Sequence, residues 1–425
     1  MKRILVLFPK EWDRLEFERP EYSSHYEFVY AGFDLFRFPQ NLQLGWFDTF
    51  RFVNDVVGRF RRERIDGVFS NNEYFGALLS AVVAERLGLP GNDPHVVLTA
   101  QHKFYARKAY AAIAPEASTR FAAFPYSIRR REDFPFDFPC FVKPVKATFS
   151  VLARQVDNFA QLRRHLRFWP FEKYVIKRLV KPFNDLLPWY TDFGIDAHSM
   201  IAEEILPVVQ VNLDGYVHEG KVTVLGVIDE NLYPGTYAFR SFEYPSRVPA
   251  ETQARMTDLA AKVLTGIGYR HGFFNMELAW EPESGRMRLI EINPRMASQL
   301  ACFYEWVDGV SPYDALFALA CGEAPRLQRA APIYRHAGSF ALRKFDGKPL
   351  RSHPTPEQLE RVRRDYPEAR LMLYLKRGAS LAREMKWLGS YRYAVVNMGA
   401  GSADDLQRRF QSLRRALFLE SDLAA

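Results

Sequence analysis

The segment from Phe273 to Arg295 reads FFNMELAWEPESGRMRLIEINPR, and it constrains the fold more than any other part of the chain. Apolar and polar residues alternate on both sides of Glu281 to Gly285, which supplies residues typical of a turn. The pattern therefore predicts a β-hairpin with one apolar and one polar face. The apolar face is predicted to carry Phe274, Met276, Leu278 and Trp280 from the first strand and Ile290 and Ile292 from the second.

The polar face of this hairpin carries two carboxylates that should oppose each other. If the turn is centred on Ser284, then Glu277 pairs with Glu291 and Asn275 pairs with Asn293. Like charges directly opposite each other destabilise a sheet, whereas a divalent cation between them would stabilise it. Mg²⁺ prefers oxygen ligands of this kind. A solvated face of an ordinary hairpin is the alternative interpretation.

The same residues resemble the signature of a known superfamily. Glu277, followed by Glu291-Ile292-Asn293-Pro294-Arg295, is similar to the metal-binding hairpin of the ATP-grasp superfamily. The resemblance implies ATP as the nucleotide and Mg²⁺ or Mn²⁺ as the ion, with Glu277, Glu291 and Asn293 as its ligands. It also implies that Arg295 is catalytic, stabilising a phosphorylated intermediate or the oxyanion of a tetrahedral adduct.

Composition narrows the class of protein. A length of 425 residues favours two to three domains, and 48% hydrophobic residues are ample for their cores. Three cysteines form no CxxC pair, which suits a reducing cytoplasm. No apolar run is long enough for a membrane helix, and the first residues, MKRILVLFPKEW, are typical of a strand rather than a signal peptide. The net charge is +8, but no nucleic-acid recognition motif is present. We therefore expect a cytoplasmic protein that binds neither membrane nor nucleic acid.

The first hundred residues alternate strands and helices. Arg3–Phe8 and Ile65–Ser70 are predicted strands, and the helix Gly76–Leu87 should end at Gly88. This order predicts an open parallel α/β sheet. With the resemblance, the fold class is α/β and α+β in an ATP-grasp architecture. The expected domains are residues 1–100 (N-terminal α/β), 101–325 (ATP-grasp, with a lid at about 140–206 and a central antiparallel sheet) and 326–425 (a small C-terminal α+β domain).

Two lysines are candidates for binding phosphate. Lys143 interrupts the apolar strand Pro139–Val145, and a buried lysine is rare unless it is paired. Lys103 begins a predicted helix, with Arg107 one turn later. Both lysines match phosphate-contacting positions of the superfamily, and Lys143 also matches a catalytic one. For Arg107, a functional role and an exposed helix position are equally supported.

The nucleotide-binding segments match the superfamily with two departures. Residues 146–150 replace the usual glycine-rich phosphate loop without any glycine, and Ser150 stands where the superfamily keeps a serine. Residues 201–206 resemble the hinge strand beside adenine, which is contacted through its backbone. Gln210 replaces a glutamate that many relatives place on the ribose hydroxyls. The residues implied for adenine and ribose are Glu203, Glu204, Ile205, Leu206 and Gln210.

The remaining sequence predicts several local elements. They are a lid helix at Asp157–Phe168, an irregular segment at Asn184–His198, a hairpin turning at Glu219-Gly220, a helix at Glu251–Ile267, and helices starting at Ser311, Thr355 and Ser402. Arg240, Tyr244 and His271 are expected near the acceptor substrate, although Arg240 is equally consistent with a surface arginine.

The resemblance implies a ligase that activates a carboxylate as an acyl phosphate and transfers it to an amine, with release of ADP and phosphate. Its partners would be small carboxylates and amines, amino acids among them, and a homodimer is left open. Two alternatives remain. One is a carboxylase-like enzyme that activates bicarbonate, and the other is a nucleotide-binding protein without ligase turnover.

Overall fold

The computed structural model describes residues 1–35, 37, 39–148, 150–206, 209–376, 380–419 and 422. Within these residues the strands are β1 (Lys2–Leu7), β2 (Tyr26–Ala31), β3 (Gly67–Phe69), β4 (Phe121–Phe124), β5 (Cys140–Pro144), β6 (Arg154–Val156), β7 (Met200–Glu203), β8 (Val209–His218), β9 (Lys221–Leu232), β10 (Phe239–Tyr244), β11 (Gly272–Trp280), β12 (Met287–Asn293), β13 (His336–Lys344), β14 (Arg370–Leu373) and β15 (Tyr391–Ala400). The helices are α1 (Glu11–Phe17), α2 (Pro20–Ser23), α3 (Thr49–Glu63), α4 (Gly76–Leu87), α5 (Pro94–Gln101), α6 (Lys103–Ile113), α7 (Phe159–His165), α8 (Pro170–Tyr190), α9 (Ala250–Gly266), α10 (Ala301–Asp308), α11 (Pro312–Ala320), α12 (Pro356–Asp365), α13 (Ala382–Leu388) and α14 (Ala403–Leu417).

The N-terminal region is an open parallel sheet, as the sequence predicts. Its strand order is β2-β1-β3, and all three strands run in the same direction. Helix α4 ends at Gly88, whose φ of +66° lies in the left-handed region that glycine adopts without strain. The carboxyl ends of these strands, where α/β sheets generally bind ligands, lead into loops that reach the candidate site.

A four-stranded antiparallel sheet follows, in the order β4-β7-β5-β6. Strands β5 and β7 are direct neighbours, so Lys143 on β5 lies beside Ile201 and within reach of Glu203 on β7. The lid helix is shorter than predicted, because Asn158 caps it and it covers only Phe159–His165.

The prediction of an irregular segment at 184–198 is wrong in its first half. Helix α8 continues to Tyr190 through Pro182 and Pro188. Its apolar residues recur at helical spacing, and Val180, Phe183 and Leu187 pack into the core of the N-terminal sheet. This burial maintains the helix despite the backbone donors that the prolines remove.

An eight-stranded antiparallel sheet forms the centre of the molecule, in the order β12-β11-β8-β9-β10-β13-β15-β14. The last three strands come from residues beyond 330, so the C-terminal region extends the central sheet. The hairpin β8–β9 turns at Glu219 and Gly220, both with positive φ, as predicted. Local helix signals also hold: Thr355 and Gln358 form a capping box on α12, and Ser402 caps α14.

Candidate active site

The predicted hairpin is strands β11 and β12, and its register matches the prediction at the polar end. Glu277 pairs with Glu291, and Asn275 pairs with Asn293. The register then shifts, because a bulge between Glu277 and Leu278 leaves Ile290 without a direct partner. The prediction that Ile290 shares the apolar face is therefore wrong: Leu289 is fully buried, whereas Ile290 lines the candidate pocket.

The two carboxylates of this hairpin have different electrostatic environments. Lys103 Nζ lies 3.0 Å from Glu291 Oε2. Burial would raise the pKa of Glu291, but Lys103 and then Lys143 outweigh burial and lower it. Burial and the charge of Glu291 raise the pKa of Glu277 well above its usual range. Within the described residues no cation forms an ion pair with Glu277. A bound divalent cation would therefore stabilise its charged form.

A buried ion triad lies on the neighbouring lid sheet. Glu203 accepts from Arg107 Nε at 2.6 Å and from Lys143 Nζ at 2.8 Å. Burial opposes the charged form of Glu203, but Arg107 and Lys143 lower its pKa to about 2. Arg107 is almost completely buried and also donates to the Leu289 carbonyl, so its alternative interpretation as an exposed arginine is wrong. Burial lowers the pKa of Lys143 although Glu203 opposes this effect.

Arg295 connects the hairpin to the N-terminal sheet. Its guanidinium lies 2.5 Å from Glu73 Oε2, and both side chains are largely buried. Glu73 belongs to the loop after β3, and its backbone carbonyl accepts from Lys146 Nζ at 2.8 Å. The side-chain amide of Asn293 lies 3.3 Å from Glu277, close to this pair.

One pocket, with an empty volume of about 620 Å³ that is partly open to solvent, is lined by both carboxylates of the hairpin and by Lys103 and Lys143. Its lining residues are Lys103, Phe141, Lys143, Pro144, Ala147, Thr148, Ser150, Val151, Ala153, Gln210, Glu230, Tyr237, Glu277, Ile290 and Glu291. Cations and carboxylates thus face each other across a space bordered by aromatic and aliphatic side chains. This arrangement suits a ligand with an apolar ring at one end and phosphates at the other.

Comparison with known proteins identifies the fold around this pocket. A family model described as an ATP-grasp domain matches residues 136–303. That range contains Lys143, the hinge residues and both strands of the carboxylate hairpin. Residues 136–303 are thus similar to an ATP-grasp domain. Together with the fold described above, this match confirms the predicted ATP-grasp architecture.

One curated relative and two solved structures of similar fold illustrate what the chain resembles. Carnosine synthase 1 from Gallus gallus is 29% identical over 292 residues, which is 64% of this chain but 29% of that protein. The L-amino acid ligase from Bacillus licheniformis superimposes with a TM-score of 0.70 at 17% identity, over 98% of both chains. The N5-carboxyaminoimidazole synthase from Aspergillus clavatus, solved with ADP and 5-aminoimidazole ribonucleotide, gives a TM-score of 0.63 at 12% identity, over 98% of both chains. The chain thus spans less than a third of the curated relative that it matches.

Six of the residues predicted from the ATP-grasp resemblance line the same pocket, whereas the hinge residues 203–206 do not. The lining of the ATP-grasp pocket includes Lys103, Lys143, Ser150, Gln210, Glu277 and Glu291. The described lining residues do not include Glu203, Glu204, Ile205 or Leu206. The side chain of Glu203 binds Lys143, which does line the pocket. Glu204 instead lies 3.7 Å from the exposed Arg120.

The acceptor-side predictions have mixed outcomes. His271 and Arg295 both line a second cavity between the N-terminal sheet and the ATP-grasp hairpin. Tyr244 is buried and donates to Asp308 at 2.6 Å. Arg240 is exposed on β10, which agrees with its alternative interpretation as a surface arginine.

Four residues near the ATP-grasp pocket were missed from the sequence: Lys10, Glu73, Lys146 and Glu230. Burial lowers the pKa of Lys146 to about 7 and that of Lys10 to about 8, the latter aided by Arg295. Glu73 and Lys10 follow β3 and β1 at the carboxyl edge of a parallel sheet, and that position could have identified them. Lys146 and Glu230 carried no comparable signal.

The hairpin has a donor set that fits a divalent cation. Glu277, Glu291 and Asn293 present hard oxygen atoms on one face, and Glu277 has no cation beside it among the described residues. Because only two of the three are acidic, no cluster of three His, Cys, Asp or Glu side chains occurs in the described ranges. None of the described helices is long and apolar enough to cross a membrane.

Proposed function

We propose that this chain is an ATP-dependent ligase that joins a carboxylate to an amine and releases ADP and phosphate. The observation that carries the proposal is the convergence of Lys103, Lys143 and the Glu277–Glu291 pair on one pocket. The name of the chicken relative specifies carnosine synthesis, and that of the bacterial neighbour specifies L-amino acids. These names support an amino acid as at least one substrate.

The residues of the pocket have distinct tasks toward ATP. Lys103 and Lys143 bind phosphate oxygens, and Arg107 and Glu203 hold Lys143 in place. Glu277, Glu291 and Asn293 are the proposed holders of Mg²⁺, which when bound neutralises phosphate charge. Lys103 is then released from Glu291 toward the nucleotide.

The chemistry proceeds in two balanced steps. A carboxylate oxygen of the first substrate attacks the γ-phosphorus of ATP, the bond to the β-phosphate oxygen breaks, and ADP leaves. The amine nitrogen of the second substrate then attacks the acyl carbon, phosphate leaves with its bonding electron pair, and the nitrogen loses a proton. Arg295 and Lys146, which both contact Glu73, are the cations that we assign to stabilise the transferred phosphoryl group and the oxyanion.

The cysteines support a mechanism without a covalent enzyme intermediate. Burial raises the pKa of Cys140, Cys302 and Cys321 to about 11, so each is a thiol at neutral pH. None of the three lines the ATP pocket among its described residues. No disulfide joins these three cysteines, and we propose a cytoplasmic location.

The test is product analysis with ATP, Mg²⁺ and pools of amino acids and amines. We expect ADP and phosphate in equal amounts with a new amide found by mass spectrometry, and a hydroxamate when hydroxylamine replaces the amine. Release of AMP and pyrophosphate would refute the acyl phosphate route. Phosphate release with bicarbonate alone would instead favour the carboxylase-like alternative, and binding of ATP without turnover would favour the nucleotide-binding one.

A further inference from the structure

Residues on the polar face of the central sheet form three rows that run across the strands. The order of these rows distinguishes the two ends of the pocket. At one end Asp214 pairs with Asn275, which pairs with Asn293. Asp214 is among the acidic groups that attract Arg295, so this row faces the acceptor side. In the next row Asn212 pairs with Glu277, which pairs with the Lys103-bound Glu291.

The third row lies farther along β8, on the side of the carboxylates away from Arg295. There Gln210 pairs with Ala279 on β11 and with Glu230 on β9. If the phosphates occupy the middle row and the acceptor the first, the nucleoside lies over the third row. Gln210 and Glu230 both line the pocket at this position.

Among the described residues, Glu230 is a carboxylate that forms no ion pair. Its Oε2 accepts one hydrogen bond, from Asn212 Nδ2 at 2.8 Å. In the part of the chain that the structure describes, no cation pairs with it. The preceding Asp229 faces the other side of the strand and is bound by Arg247 at 3.0 Å. Burial, reinforced by the charge of Glu291, raises the pKa of Glu230 to about 7, so hydroxyl donors from a ligand would stabilise it.

We infer that Glu230 binds the ribose hydroxyls of the nucleotide. Glu230 supplies the carboxylate that the amide Gln210 lacks. This inference rests on the proposed ATP site. A carboxylate can accept from both hydroxyls of a cis-diol, whereas the Gln210 amide can accept only through its single oxygen. Directly paired residues on neighbouring strands have Cβ atoms roughly 5 Å apart, so the two side chains can share one sugar.

The spacing of the strands separates Glu230 from the proposed metal ligands Glu277 and Glu291. Strand β8 lies between β9 and β11, and Glu230 is one row farther along the strands, which places its backbone about 12 Å from that of Glu277. Asn212 fills the gap and donates to Glu230. An ion held by Glu277 and Glu291 would lie on the far side of Asn212 from Glu230, so Glu230 faces the sugar.

The experiment measures binding of ATP, 2′-deoxyATP and 3′-deoxyATP by calorimetry at saturating Mg²⁺. We expect the wild-type protein to bind ATP about tenfold more tightly than either deoxy analogue, the usual size for a hydrogen bond to a charged group. Glu230→Ala should lose about tenfold in ATP affinity and most of its discrimination against the two deoxy analogues. The exchange of the two side chains, Gln210→Glu with Glu230→Gln, should restore discrimination.

The possible outcomes are distinct. Equal losses for ATP and both analogues in Glu230→Ala, with discrimination retained, would overturn the ribose assignment. A higher Mg²⁺ requirement with unchanged discrimination would also overturn it and would make Glu230 a metal ligand. Failure of the wild-type protein to bind ATP would overturn the nucleotide site itself, which separates that failure from an error about Glu230. Thermal melting without nucleotide confirms that each variant is folded.

Discussion

The buried triad of Glu203, Lys143 and Arg107 makes a quantitative prediction about stability. Glu203→Gln keeps the shape of the side chain but removes the charge that compensates two buried cations. The pKa of Glu203 falls from 4.5 to about 2 in the folded protein. A difference of this size corresponds to about 3 kcal/mol of folding free energy, close to the usual cost of breaking a buried ion pair.

The assay is thermal unfolding by calorimetry at neutral pH. For a large folding unit a loss of about 3 kcal/mol lowers the melting temperature by roughly 5–10 °C. The matched control is Glu204→Gln on the next residue, whose partner Arg120 is exposed and 3.7 Å away. A surface pair of this kind contributes at most about 1 kcal/mol, so the control should melt close to the wild-type protein. A melting temperature of Glu203→Gln within a degree or two of the control would refute the reasoning.

The pH dependence of this prediction has a definite sign. A carboxyl whose pKa is lowered by folding contributes its full stability above its unfolded pKa of about 4.5 and loses it as the pH falls toward 2. The difference between wild type and Glu203→Gln should therefore shrink below about pH 4.5. Adding Lys143→Met to Glu203→Gln should recover part of the lost stability, because one unpaired buried cation is removed.

Two further predictions concern turnover. Glu291→Gln should abolish ADP release at saturating Mg²⁺ with little change in melting temperature, since the lost ion pair with Lys103 is offset by relief of the repulsion between Glu291 and Glu277; release above a tenth of the wild-type rate would contradict the metal assignment. Lys146→Met should lower kcat by about a hundredfold while ATP affinity by calorimetry changes less, because Lys146 contacts Glu73 at the Arg295 end of the site. An equal loss of affinity would instead make it an ATP-binding residue, and Lys146→Arg should restore part of kcat.

The sequence predicted the carboxylate hairpin well because its determinants are local. Alternation assigns each residue to a face, and the turn at Ser284 sets which residues oppose each other. The pairing of Glu277 with Glu291 follows from these two facts alone. The bulge could not be predicted in this way, since Leu289 and Ile290 are both apolar and either could have faced the core.

The ion pairs of the site were beyond sequence reasoning because their partners are distant along the chain. Glu203 and Arg107 are separated by 96 residues, and Arg295 and Glu73 by 222. No periodicity connects such positions. Capping signals are local, so they located the starts of α12 and α14. The pairing of β13 to β15 with the central sheet depends on distant residues and was seen only in the structure.

The glycine-free loop that we propose covers the phosphates is held in place by contacts with its surroundings. Ser150 and Leu152 both have positive φ, which costs a non-glycine residue of order 1 kcal/mol or more. Such strain persists only where the surroundings fix the loop. Lys103 Nζ donates to the Ala147 carbonyl at 2.9 Å, Lys146 Nζ donates to that of Glu73, and the Leu152 amide donates to the Trp387 carbonyl at 2.7 Å.

These three contacts hold the loop to three different parts of the fold: the helix that begins with Lys103, the N-terminal sheet through Glu73 and the C-terminal region through Trp387. A glycine-rich loop closes over phosphates by changing its own backbone angles. The position of this loop therefore depends on the C-terminal region as well as on the residues of the candidate site. The absence of glycine is therefore a change in how the loop is positioned, and it leaves the cations and carboxylates of the ATP site facing each other.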